Sequence, residues 1–129
     1  PDSRAEHALL RILRYPLIGV DHPGRAYMGL AVASRHAKVR DSLLERYLRS
    51  LLDGAELRRA KAAGLAMRLA YTFSGGVISL LEQTALRREG NKLKLELPSH
   101  ADVLVGDVVQ SRFRSLAQEL GCKPHIALV

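Results

Sequence analysis

The sequence predicts an α+β protein that is predominantly helical, because the spacing of its apolar residues changes once along the 129 positions. Up to about residue 82, apolar residues recur every three or four positions, which is the period of a helix with one buried face. From residue 85 to residue 97 they alternate with polar residues, which is the period of a strand. We therefore expect a helical part over residues 1–82 and a small strand-strand-helix-strand extension over residues 83–129, within one compact domain.

The four helices of the first part are predicted from the residues at their ends. A short polar side chain before a helix accepts a hydrogen bond from a first-turn amide that has no partner inside the helix. The expected N-caps are Ser3, Asp21 or His22, Asp41 or Ser42, and Asp53. Glu6 and Glu56 follow two of these caps by three residues, as in a capping box, and Pro23 suits a first helical turn. The expected ends are near Pro16, Lys38, Gly54 and the pair Gly75–Gly76.

The third and fourth helices differ in how their apolar residues are distributed. The third has a single stripe at i, i+4 spacing, formed by Leu43, Leu44, Tyr47, Leu48, Leu51 and Leu52. The fourth, over residues 55–73, has apolar residues on nearly every side, and we expect it at the centre of the core. Because four short helices cannot cover such a surface easily, we also expect a homodimer, or an apolar patch where further domains dock.

The second part is predicted from one turn and one alternating run. Gly90-Asn91 has the composition of a two-residue hairpin turn. The leucines that this hairpin places on one face are Leu93, Leu95 and Leu97. Ser99 is expected to cap a last helix that runs to Leu120, where Gly121 stops it. The β-prone segment 125–129 is expected to add an edge strand.

The net charge of +7, from 20 Lys and Arg against 13 Asp and Glu, favours an anionic partner. The surplus lies mainly in the first half, and the anion could be a nucleic acid, a phosphate chain or an acidic protein surface. The absence of Trp and an aromatic content of 5% argue against base stacking, so no specific nucleic acid is expected. No apolar run is long enough to cross a membrane, and no signal peptide is evident, so we expect a soluble, cytoplasmic protein.

Three segments, taken together, resemble a known family. They are LRYPLIGVDHPGRAYMGLAVASRHAK, RAKAAGLAMRLAYTF and LKLELPSHADVLVGDVVQSRFRSLAQELG. In this order they are similar to the carboxy-terminal region of the exopolyphosphatase and guanosine pentaphosphate phosphohydrolase family. The resemblance implies an HD-like helical bundle followed by a small α/β extension.

The resemblance also implies where the chemistry takes place. In that family the catalytic glutamates and phosphate loops belong to two amino-terminal domains of the actin-like ATPase fold, where magnesium assists the attack of water. This chain has no Gly-rich phosphate turn, so we expect an excised carboxy-terminal domain that has no catalytic residue and no cofactor of its own. Its expected partners are inorganic polyphosphate and those amino-terminal domains.

The second helix is the expected polyphosphate site, because the family's carboxy-terminal domains line a channel for the long substrate. Arg25, Gly29, Val32 and His36 fall on one narrow face, and about 16 Å separates Arg25 from His36 along the axis. The start of the helix also favours an anion, since unpaired amides and the helix dipole point there. The candidate polyphosphate-binding residues are His22, Gly24, Arg25, Arg35 and His36.

Two other functions are compatible with the sequence. An independent HD-like metal-dependent phosphohydrolase would need an adjacent His-Asp pair with further ligands, whereas the chain offers the reversed pair Asp21-His22. The remaining histidines, His7, His36, His100 and His125, are scattered, so no metal site is expected and Asp21 and His22 are interpreted as caps. The other alternative is a basic helical module that binds nucleic acid or protein, which the lack of aromatic platforms disfavours.

Overall fold

The computed structural model describes residues 3–39 and 41–129. In these residues the α-helices are α1 Ser3–Arg14, α2 His22–His36, α3 Ser42–Leu51, α4 Gly54–Ser74, α5 Ile78–Glu82 and α6 Asp107–Glu119. The strands are β1 Ala85–Glu89, β2 Lys92–Leu97 and β3 Lys123–Leu128, and a 3₁₀ helix, Ser99–Leu104, precedes α6. The predicted fold class, α+β and predominantly helical, is confirmed.

The chain divides into two compact units, Pro1–Leu65 and Ala66–Val129, and α4 contributes residues to both. The division into residues 1–82 and 83–129, which rests on the change of hydrophobic period, stays a prediction. The likeness of the helical part to the HD fold also stays a prediction. Within the described ranges, no helix is both long enough and apolar enough to cross a membrane.

The predicted N-caps of α2, α3 and α4 are confirmed. The Asp21 carboxylate accepts a hydrogen bond from the Gly24 N–H at 2.7 Å, and the Asp41 carboxylate accepts one from the Leu43 N–H at 2.9 Å. Asp53 accepts from the Glu56 N–H at 2.8 Å, while the Glu56 carboxylate accepts from the Asp53 N–H at 3.1 Å. The first of these two bonds holds the pKa of the Asp53 carboxyl below its usual value. Local side-chain hydrogen bonds therefore set where these helices begin.

Two glycines allow the helices of the first unit to approach closely. A Cβ atom on Gly29 of α2 would lie 2.7 Å from Cδ1 of Leu9 in α1. A Cβ atom on Gly64 of α4 would overlap the Ala31 carbonyl oxygen of α2 and would lie 2.6 Å from Cβ of Ser34. The core around these contacts is made of small and leucine side chains, namely Ala5, Leu9, Ala26, Leu30, Ala31, Ala33, Leu48, Leu52 and Ala60. The main chain therefore lies directly against a Leu9 side chain at Gly29 and against the main chain of α2 at Gly64, without space for a further methyl group at either glycine.

The second unit contains a three-stranded sheet in the order β1-β2-β3. The predicted hairpin is confirmed: β1 and β2 are antiparallel, Glu89 is opposite Lys92, and Gly90 in the turn has a φ of 61°. The predicted leucine face is confirmed as well, since Leu93, Leu95 and Leu97 are each at most 3% exposed. β3 lies parallel to β2 at the edge of the sheet, as expected for the terminal segment.

Four details of the sequence interpretation are wrong. The helix predicted over residues 99–120 is two elements, because Gly106 adopts an extended conformation that separates the 3₁₀ helix from α6. The short helix α5 was not predicted. Gly54 is the first residue of α4, and α3 already ends at Leu51. α2 ends at His36, two residues before the predicted end, where Ala37 becomes extended.

We predict that Gly64→Ala lowers the free energy of unfolding by at least about 1 kcal/mol, because overpacking of a core typically costs about 1–3 kcal/mol. Alanine is otherwise the better helix former, by about 1 kcal/mol. Gly54→Ala in the same helix is the control, since its Cβ would meet only the flexible end of Arg58, at 3.5 Å. Urea denaturation followed by circular dichroism measures both variants. Equal stability of the two variants would show that α4 does not pack closely on α2.

Candidate functional site

α1 and α2 form an antiparallel pair, and this arrangement determines where the predicted site residues lie. Leu9, in the middle of α1, contacts Gly29 in the middle of α2. Arg25, near the start of α2, donates a hydrogen bond from Nη1 to the Tyr15 carbonyl oxygen just after α1, at 3.3 Å. The start of α2 is therefore beside the end of α1, and the end of α2 is level with the start of α1.

His22, Gly24 and Arg25 come together at the start of α2, as predicted, but each already has a partner. The Gly24 N–H donates to the Asp21 carboxylate, and Arg25 Nη2 is 2.8 Å from Nδ1 of His22. Since a guanidinium can only donate, His22 accepts this bond through an unprotonated Nδ1. An anion at this helix start would meet the Asp21 carboxylate. Asp21 caps α2, and Arg25, which contacts His22, joins the start of α2 to the end of α1 at Tyr15.

Arg35 and His36 lie in the last turn of α2 and are both half-buried. The structure does not join them to Arg25 by an open surface. Gly29, halfway between the two ends, is buried beneath Leu9 of α1. The predicted polyphosphate-binding residues therefore form two groups, at opposite ends of α2, with α1 covering the face between them.

The outer surface of α1 has its own basic residues, which the sequence interpretation missed. We define the α1 basic face as Arg4, His7, Arg11 and Arg14. Their spacing of three, four and three residues places them within one sector of the helix, away from the buried Ala5 and Leu9. All four are exposed, and the face is about 15 Å long. The recurrence of basic residues every three or four positions in the sequence would have predicted this face, in the same way as the recurrence of apolar residues predicts a buried stripe.

The side chains of the α1 basic face have no counter-charge within bonding distance among the described residues. Within residues 3–39 and 41–129, none of its four side chains has a hydrogen-bond or salt-bridge partner. On α3, by contrast, Arg49 lies 3.1 Å from Glu45, and its hydrogen bond holds the pKa of the Glu45 carboxyl below its usual value. Residues 1–65 contain 12 of the 20 basic and 7 of the 13 acidic residues. Most of the net positive charge therefore belongs to the unit that presents this face.

The candidate metal ligands are dispersed. Asp21 caps α2, His7 lies on α1, and His36 ends α2. His100 is in the 3₁₀ helix and His125 is in β3. In the part of the chain that the structure describes, no three His, Cys, Asp or Glu side chains come close enough to hold a metal ion.

The fold and this surface define a basic, predominantly helical α+β domain. The model of the family described as "Exopolyphosphatase, C-terminal" matches residues 1–127, and the chain therefore belongs to this family. No curated protein matches the sequence at a significant level. The resemblance noted in the three sequence segments is thus confirmed over nearly the whole chain.

Proposed function

We propose that this chain is the part of an exopolyphosphatase that binds inorganic polyphosphate and organises the subunit, and that it transfers no phosphoryl group itself. The observation that supports this most directly is the α1 basic face, with three exposed arginines and no carboxylate partner among the described residues. A polyanion that lies along this face would release counterions from both partners, which is the main source of affinity in such complexes.

The two groups at the ends of α2 lie near the two ends of α1. Arg14 is adjacent to Tyr15, whose carbonyl binds Arg25, so His22 and Arg25 lie near one end of the α1 basic face. Because the helices are antiparallel, Arg35 and His36 are level with the start of α1 at the other end. A flexible polyphosphate, which has no bases, suits this surface better than a nucleic acid does. The protein has no Trp and few other aromatic residues on which bases could stack.

The remaining parts of the proposal concern the parent enzyme. Hydrolysis of the terminal phosphate, assisted by magnesium, would take place in actin-like amino-terminal domains in the cytoplasm. These domains and a second copy of the subunit would use apolar surface of this chain. Support comes from exposed apolar side chains of the second unit, among them Met67, Tyr71, Val77 and Ile78, which are 42–70% exposed.

We predict that the chain binds long-chain polyphosphate with strong salt dependence, and that Arg4→Gln/Arg11→Gln/Arg14→Gln weakens this binding. Three lost phosphate contacts should reduce the slope of log K against log salt concentration by about 2. Fluorescence anisotropy with labelled polyphosphate, measured over a series of salt concentrations, gives both quantities. Arg25 is left unchanged because it anchors Tyr15.

The control for this experiment is Arg46→Gln/Arg58→Gln/Arg59→Gln, which removes the same charge from exposed positions of α3 and α4 in the first unit. We expect this variant to bind nearly as the parent does. Equal losses in the two triple variants would mean that only net charge matters, and the proposed site on α1 would be rejected.

We also predict that the isolated chain releases no phosphate from polyphosphate or from guanosine pentaphosphate, with or without magnesium. Its Asp21 is occupied as a helix cap, and among the described residues no three His, Cys, Asp or Glu side chains come close enough to hold a catalytic metal ion. A colorimetric phosphate assay on highly purified protein tests this. Turnover that persists through purification and is lost in His22→Ala, but not in His125→Ala, would support an HD-like hydrolase instead.

A further inference from the structure

β3 is an edge strand with an open side. The Lys123 N–H donates to the Asn91 carbonyl at 2.7 Å, and the Val129 N–H donates to the Leu97 carbonyl at 2.8 Å. In a parallel pair, alternate residues direct their main-chain groups toward the neighbouring strand. The main-chain hydrogen bonds to β2 are therefore formed by residues 123, 125, 127 and 129. The main-chain groups of Pro124, Ile126 and Leu128 point to the open side.

A groove of about 390 Å³ lies between α6 and this edge. Gln110, Phe113 and Arg114 form its α6 side, because they are spaced at i, i+3 and i+4 on one face of the helix. Phe113, which is 2% exposed, and Ile126 of β3 give it an apolar floor. The groove thus combines an apolar floor with main-chain groups along one side that have no hydrogen-bond partner among residues 66–129.

Among the residues that line the groove, the charged side chain of α6 is that of Arg114. No Asp or Glu lines it, and the exposed Gln110 and Arg114 side chains have no hydrogen-bond partner among residues 66–129. The register places Lys123 and His125 on the opposite face of the sheet from Ile126. On that face Lys94 is paired with Glu89 and Glu96, whereas Lys123 and His125 have no acidic partner in the described unit. A strand added to this edge would therefore meet cations on both of its faces.

We propose that the open edge of β3 and the α6 groove bind an extended segment of a separate protein in which apolar and acidic residues alternate. The segment would add a fourth strand, and its main chain would bond to Ile126 and Leu128. Its apolar side chains would enter the groove. Its acidic side chains would lie beside Lys123 and His125, and a carboxylate at the mouth of the groove would bind Arg114.

Charge favours this occupant over a second copy of the same chain. The β3 segment of a second copy, Lys123–Leu128, contains no Asp or Glu. Antiparallel pairing of two β3 edges about Ile126 would therefore bring no counter-charge to Lys123 or Arg114 of either copy. An acidic segment instead neutralises the same groups, so the surface is complementary to a different partner. This site is separate from the α1 basic face and does not depend on polyphosphate binding.

The test is a titration of the full ¹⁵N-labelled chain with a short blocked peptide of alternating Glu and Val residues, followed by NMR. We expect saturable shifts at the amides of Ile126, Leu128 and the groove side of α6. The same peptide with alternate amides N-methylated should bind at least about tenfold more weakly, since it cannot complete the strand pairing. A Lys and Val peptide should also bind more weakly.

Two variants of the protein locate the site. Leu128→Pro removes an N–H that points away from β2, so it should weaken binding without opening the sheet, and Arg114→Glu should do so by reversing a charge. Arg88→Glu, on the opposite edge strand β1, is the charge-matched control and should bind as the parent does. No saturable shift at millimolar peptide, equal binding of the N-methylated peptide, or self-association through β3 without peptide would each overturn the proposal.

Discussion

The close approach of α4 to the main chain of α2 at Gly64 is the contact on which the arrangement of the first unit depends. No side chain separates the two helices there, because even a methyl group would overlap the Ala31 carbonyl oxygen. The alanines around it keep the same short distance, and Gly29 allows α1 to pack closely on another face of α2. Since α1 is held in this position, its apolar side is buried in the core, and the opposite side of the helix is exposed to solvent. The functional surface that we propose is a direct consequence of this packing.

The same packing divides the basic residues into two kinds. Arg25 bonds to the end of α1 and to His22, so its charge serves the junction between the two helices. Arg4, Arg11 and Arg14 have no such contacts among the described residues, and their charge is available to a ligand. Exposed arginines that are not paired contribute little to stability, so their cost to the fold is small. In the second unit, the pairs around Glu96 hold the pKa of that carboxyl below its usual value and neutralise part of the sheet, which leaves the β3 edge as its basic side.

The sequence was informative where a structural feature depends on a few neighbouring residues. Asp21, Asp41 and Asp53 identify helix starts because an N-cap depends only on one carboxylate and the amides of the next two or three residues. Gly90 identifies the hairpin because the tight turn depends on a positive φ at that one position. The last helix was misjudged because Ser99 and Asp102 also suit a 3₁₀ turn, and only the extended conformation of Gly106 separates this turn from α6. The site was harder to predict than the elements. Residues 25, 29, 32 and 36 do share one face of α2, but the sequence does not show that α1 covers the middle of it, because that depends on the contact between Gly29 and Leu9.

The central claim is that a phosphate chain lies along the outer surface of α1. NMR titration of the ¹⁵N-labelled chain with polyphosphate of defined length tests it most directly. It reports on the backbone amides and the arginine side chains of the protein without any amino-acid substitution. The account predicts that the Nε–H signals of Arg4, Arg11 and Arg14 shift together with the amides of α1, with smaller shifts at both ends of α2. Shifts confined to α3, to the start of α4 or to the second unit, with α1 unchanged, would contradict it.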